Sequence, residues 1–181
     1  MYNFLYKLNV SGHLKFTEGH IQVFGHSSLM IIPEEAFLFL QEEFLKVDSL
    51  RLYKVGKKAG EELYELIARY TVNPNRIFAL GIDLINFSGF GKLRVINKRL
   101  DEGRVIFHME DSIAAKIKTN EHACHYMRGV LAGFIGRITR KDVECTEEQC
   151  MAIGNRVCEF MVKERNEFNP NSEIVRKQLK F

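Results

Sequence analysis

The chain has 181 residues, 46% hydrophobic and 27% charged, with three prolines, a composition that excludes a disordered or fibrous protein. One domain of this length buries roughly 70% of its unfolded surface, so it needs no metal merely to fold. Lys and Arg outnumber Asp and Glu by 26 to 23, too small and too evenly spread an excess to imply nucleic acid or an anionic membrane surface as partner.

The first residues, Met1 to Lys7, lack a basic stretch followed by a long apolar one, so no signal peptide is expected. The most apolar window, Ile77 to Phe90, contains Asp83, Asn86 and several glycines and is too short and polar to span a bilayer. A cytoplasmic location follows as the expectation. There thiols stay reduced, and clustered cysteines more often mean metal or redox chemistry than disulfides.

In chain order, residues 4–32 read as a small β meander. Its apolar runs at Leu8–Val10, Leu14–Phe16, Ile21–Phe24 and Leu29–Ile32 are separated by Gly12, Gly19 and Gly25. Pro33-Glu34-Glu35 starts a helix, with proline in the first turn and two carboxylates at the positive end of the dipole. Phe37, Leu40, Phe44 and Leu45 form its apolar stripe.

Asp48-Ser49 caps a second helix running to Tyr70, with Leu63, Leu66, Ile67 and Tyr70 on one face. A third follows Asn73-Pro74, over 76–86, and Ser88 to Gly91 breaks it. Strands over 92–97 and 104–109 are joined by a loop ending in Gly103. Helix 121–138 carries Met127, Leu131, Phe134 and Ile138 as its stripe, with Cys124 in line. Gly129, Gly133 and Gly136 each cost that helix roughly 1 kcal/mol against alanine; close packing against a sheet is their expected use. Strands 141–148 and 156–163 form a terminal hairpin, and residues 164–181 read as a polar, loosely held tail. The organisation expected is thus 1–32 as a meander belonging to the same unit, 33–163 as the main domain, and the tail.

Three of the four cysteines, Cys145, Cys150 and Cys158, lie in that hairpin, and Cys124 lies on the preceding helix. With Ile153-Gly154-Asn155 as a three-residue loop, Cys150 stands directly opposite Cys158. Such pairs have Cβ atoms roughly 4.5–5.5 Å apart, which suits two thiolates on one zinc with bonds of about 2.3 Å. Cys124 supplies a third thiolate. The fourth ligand stays open on these grounds: Glu148 shares the strand face of Cys150, and Glu147 reaches inward only if a bulge precedes Cys150. Cys145 lies roughly 17 Å away along an ideal strand, while His122 and His125 flank Cys124. Buried free cysteines as plain core residues are the competing reading.

From Asp111-Ser112 to Phe160 the sequence resembles the 4-vinyl-reductase-type small-molecule-binding domains, found in archaeal proteins, in chlorophyll-pathway proteins and in phenol-responsive bacterial regulators. The matching elements are Cys124, Gly129, Gly133-Phe134, Glu147-x-x-Cys150-x-Ala152-x-Gly154 and Cys158-x-Phe160. The resemblance implies an α+β fold, an antiparallel sheet covered by helices, related to subunits of the TRAPP tethering complex. It implies a structural zinc held by Cys124, Glu147, Cys150 and Cys158, hence a bulge between Glu147 and Cys150. It also implies a ligand pocket beside the metal, expected from Phe107, Met109, Met127 and Phe134. The phenol sensors place a tryptophan and a histidine against the phenolic hydroxyl; this chain has no tryptophan.

The function expected is a zinc-binding domain for a small hydrophobic or aromatic molecule, a sensor or carrier, as a homodimer, without nucleic-acid binding or membrane insertion. The alternatives are an enzyme or accessory protein of tetrapyrrole vinyl reduction and a protein-interaction scaffold. Against a reductase, Gly89-Phe90-Gly91 is followed by a strand rather than a phosphate-binding helix.

Overall fold

A computed structural model describes residues 2–117 and 119–180. The fold is α+β, with two antiparallel sheets. Helix α1 (Tyr2–Val10) precedes a three-stranded meander of β1 (Leu14–Thr17), β2 (His20–Val23) and β3 (His26–Leu29). The strand expected at Leu8–Val10 is therefore helical. Leu8 is buried there and packs in the core cluster with Leu14 and Val23.

Helices α2 (Glu34–Val47), α3 (Ser49–Ala68) and α4 (Pro74–Phe87) follow. Their starts are those the capping residues announce. Asp48 accepts a hydrogen bond from the Leu50 N–H, Asn73 accepts one from Arg76, and Pro74 occupies the first turn of α4.

The main sheet has the order β4 (Lys92–Arg99), β5 (Arg104–Glu110), β7 (Cys158–Glu164), β6 (Val143–Gln149), antiparallel throughout. Alternation assigns one face of the two central strands. Val105, Phe107 and Met109 pair with Val162, Phe160 and Cys158, and all six are buried. The opposite face is half-exposed and carries a cross-strand His108–Glu159 pair at 2.7 Å.

Helix α5 (His125–Thr139) packs on β6 and β7, and α3 packs on α5. Helix α5 begins at His125, four residues later than expected, and Cys124 stands just before its first turn. Gly129 and Gly133 face α3 rather than the sheet. A Cβ on either would come within 2.1 Å and 2.0 Å of the Tyr53 and Lys57 carbonyl oxygens. Gly56 and Gly60 of α3 reciprocate against Tyr126 and Val130. Only Gly136 is near the sheet, with Val143 Cγ2 3.5 Å from its Cβ position.

The tail is docked rather than loose. It forms a short helix, α6 (Glu173–Gln178), against β6, and Phe168, Val175, Gln178 and Leu179 are buried.

Candidate metal centre and adjoining cavity

Four acidic side chains from separate places in the chain converge beneath the end of the main sheet. Cys124 arrives from the residue before α5, Glu147 from β6, Cys150 from the β6–β7 connection and Cys158 from the first position of β7. All four are buried, and one ligand atom of each lies within 4.8 Å of the others.

The local chain explains the convergence. The ladder pairs Glu147 with Phe160 and Gln149 with Glu159, a register shift that is the bulge implied by the resemblance. The three-residue hairpin loop is not formed. Cys150 has left the ladder and opens a 3-10 turn, Met151–Ile153, closed by Gly154 at φ +94°, a left-handed conformation that favours glycine. The Asn155 carboxamide accepts from the Cys150 N–H at 3.1 Å and secures this turn. Cys150 and Cys158 thus meet through a folded connection, not as a directly opposed pair.

The donors fit a zinc ion. Cys124 Sγ and Cys158 Sγ are 3.6 Å apart, close to the edge of about 3.8 Å that two bonds of about 2.3 Å subtend in a tetrahedron. The Met151 N–H donates to Cys158 Sγ at 3.3 Å, an arrangement that favours thiolate. Glu147 Oε2 accepts from the Cys124 N–H at 3.1 Å. Its other oxygen, Oε1, is buried without a hydrogen-bond partner among the described residues.

The electrostatics of the four acids call for a cation. Burial, then the charge on Cys150, pushes the Glu147 carboxyl up to about 8. Hydrogen bonds from Cys124 and Cys158 hold the Cys150 thiol far below its usual range. The bonds to Cys150 and Cys158, with burial behind them, keep the Cys124 thiol well above it. By themselves the groups settle on one thiolate sharing its neighbours' protons, because like charges this close cannot all ionise in a buried site. A divalent cation removes that restriction, and three sulfurs with one oxygen suit zinc.

This stretch matches the 4-vinyl-reductase (V-4-R) domain family over residues 105–164, from β5 to β7. Residues 105–164 are a 4-vinyl-reductase domain.

The chain is 29% identical over 114 residues to an uncharacterized protein of Methanocaldococcus jannaschii, a match covering 62% of this chain and 62% of that relative's length. Its fold is similar to the crystal structure of the phenol-responsive sensory domain of the transcription activator PoxR with phenol. The TM-score is 0.76 at 18% identity, over 90% of each chain. It is also similar to a trafficking protein particle complex subunit 3 from Naegleria fowleri covalently bound to palmitic acid. There the TM-score is 0.53 at 17% identity, over 72% of this chain and 93% of that one. At these identities the two structures establish a shared α+β architecture.

The remaining candidate ligands of the 4-vinyl-reductase domain stand elsewhere. Glu148 is exposed and accepts from the Thr146 hydroxyl. Cys145 is buried outside the cluster, with burial raising its thiol. His125 Nδ1 accepts from Arg128 Nη2 at 2.8 Å. His122 has its Nε2 buried without a partner among the described residues and does not belong to the four-residue cluster.

A polar shell missed in the sequence surrounds the cluster. The completely buried Arg128 donates to the Cys145 carbonyl at 2.9 Å and to the Gln178 carbonyl at 3.3 Å, and its guanidinium lies 4.7 Å from the centre of the Tyr53 ring. Gln178 of α6 pairs with the Glu147 backbone in both directions, accepting its N–H at 2.8 Å and donating to its carbonyl at 2.9 Å. The spacing of Ile174, Val175 and Leu179 is the signal in the tail that pointed to a docked helix.

Beside Cys124 lies a cavity of about 10 Å³ lined in part by Met109, Ser112, Cys124, Tyr126 and Met127. Of the four residues expected to form a pocket, Met109 and Met127 border this space. Phe107 stacks toward Phe78 at 6.3 Å, and the Phe134 ring fills the space over Gly81. A larger open depression of about 490 Å³ borders Asp142, Glu164 and Pro170, at the opposite end of the β6–β7 ladder from the cysteines.

Proposed function

We propose that this chain is a zinc-stabilised binding domain for a small hydrophobic or aromatic molecule, a sensor or carrier that works as a cytoplasmic homodimer. The observation that carries the reading is the buried Cys124–Glu147–Cys150–Cys158 cluster with the cavity wall built on Cys124. Four protein ligands leave no position for a substrate, so the zinc is structural and its work is to hold the cavity wall in place. The fold shared with a sensory domain described as phenol-responsive supports small-molecule binding. The four free cysteines, all buried, suit a reducing compartment.

Elemental analysis of the purified protein tests the metal: about one zinc per chain is expected. Cys150→Ser should lose the metal and lower the melting temperature together. A metal-free wild type of undiminished stability would falsify the reading. The tight packing of Phe107 and Phe134 favours one other reading, a protein-interaction scaffold with a filled interior. Saturable binding of a small aromatic compound distinguishes the two.

A further inference from the structure

Helix α2 lies against α3 and the 3-10 turn Ile113–Lys116, with a Lys116–Glu34 ion pair at 2.5 Å tying it to that turn. Its inward stripe should consist of apolar side chains three and four residues apart. In the structure Leu40, expected on that stripe, is 51% exposed, and position 41 points inward instead. Gln41, flanked by Phe37, Leu38, Phe44 and Leu45 one turn away on either side, is 2% exposed. Among the described residues of α2 it alone is fully buried.

A carboxamide at the centre of an apolar stripe is costly unless it is satisfied. A buried donor without a partner forfeits roughly 1–3 kcal/mol. Leucine or methionine would serve packing better, so a polar group held there against local preference marks a functional position. Gln41 Nε2 has no hydrogen-bond partner among the described residues. The side chain borders the cavity beside Cys124.

The other walls define what could satisfy that donor. Phe90 and Tyr126 line the cavity, and with Phe37 they form an aromatic group with ring centres 4.9–5.4 Å apart. Met109 and Met127 add two polarizable thioethers. The Ser112 hydroxyl is engaged with Cys124 Sγ at 3.5 Å. No Lys or Arg is among the lining residues to neutralise an anion. The chemistry is that of a flat apolar molecule presenting one neutral oxygen acceptor.

We infer that Gln41 is the specificity-determining residue of this cavity, its Nε2 donating to a carbonyl or hydroxyl oxygen of an aromatic ligand that enters between α2 and α5. The inference rests on the small-molecule reading above and deepens it. A cavity of about 10 Å³ accommodates about one water molecule, so the ligand gains its space by displacing α2. That helix is suited to move, because Phe39, Leu40 and Val47 are already exposed to solvent and Gln41 is its one deep anchor.

Two compounds of the same shape isolate the hydrogen bond: acetophenone, with a carbonyl oxygen, and α-methylstyrene, with a methylene in its place. Calorimetric titration into the metal-loaded wild type should show acetophenone binding about tenfold more tightly. Gln41→Met, which keeps length and removes the donor, should bind the two alike. The ligand-free variant should melt roughly 2–4 °C higher than the wild type, because an unpartnered buried amide has been removed. Equal affinities in the wild type, or a preference that survives in Gln41→Met, overturn the inference and leave small-molecule binding standing. A lower melting temperature for Gln41→Met likewise overturns it, since that is the signature of an amide satisfied within the fold. Saturable binding of neither compound overturns the inference together with the reading it rests on.

Discussion

At the scale of single residues, the site is a balance of buried charge. Arg128 is completely buried, and its guanidinium is satisfied by two carbonyls and His125 rather than by a carboxylate. Its charge is placed to offset a zinc centre with three thiolates and a carboxylate, which bears two net negative charges. Burial, and behind it the charge of Arg128, pulls the His125 imidazole down to about 3 from 6.5. Native His125 therefore stays neutral where the unfolded chain takes up a proton. The unfolded state binds more protons between pH 6.5 and 3, so stability is lost as pH falls through that window. Glu147, raised from 4.5 to about 8, acts in the opposite sense in the metal-free protein, losing stability as pH rises from 4.5 to 8. The two are separable by difference. In metal-free protein, His125→Gln should flatten the loss from pH 6.5 downward by about 1.4 kcal/mol per pH unit relative to wild type, measured by urea unfolding. Parallel curves for the two proteins would show that His125 titrates normally.

Between elements, the decisive contact is the crossing of α3 over α5. Gly56 and Gly60 on one helix meet Gly129 and Gly133 on the other, and each lies where a Cβ would strike a backbone carbonyl oxygen of the partner. The four-residue spacing in each helix places its two glycines on one face, one turn apart. Backbone approach this close brings Tyr53 of α3 against Arg128 of α5, and the Tyr53 hydroxyl in turn donates to Glu144 and accepts from the Cys145 N–H at 3.2 Å. Helix packing and the polar shell are therefore one arrangement. Gly133→Ala should gain roughly 1 kcal/mol of helix propensity and lose more by forcing the helices apart, a net destabilisation of roughly 1–3 kcal/mol. Gly154→Ala, with nothing within 4 Å of its Cβ position, carries only the strain of φ +94°. A thermal melt of Gly133→Ala equal to wild type would mean that the crossing relaxes without cost.

For the molecule as a whole, the apolar surface is unevenly distributed. Met30 and Ile31 are 80% and 81% exposed and precede α2, on which Phe39, Leu40 and Val47 are also exposed. Among the described residues no helix is long and apolar enough to cross a membrane. The proposed homodimer offers cover for this surface. Sedimentation at micromolar concentration should return twice the mass of one chain, and Phe39→Asp should shift the protein toward the single chain. A wild type that sediments as one chain would remove the homodimer from the proposal.

Much of this was legible along the chain. The caps at Asp48 and Asn73, the strands of the main sheet, the four cluster residues and the bulge after Glu147 follow from local patterns or from the family resemblance, because capping and alternation act over a few residues. The departures have long-range causes. The tail reads as polar until β6 gives Gln178 a backbone to pair with, 31 residues away in sequence. Glycines 129 and 133 read as sheet-packing residues until α3 is laid across them, and Gln41 reads as one more polar residue of α2 until the helix is rotated against the cavity. Local sequence dictated which elements form and which side chains carry chemistry. Which helix face turns inward, and which buried polar atom is left without a partner, is set by the sum of contacts from distant segments, and that sum exists only in the folded chain.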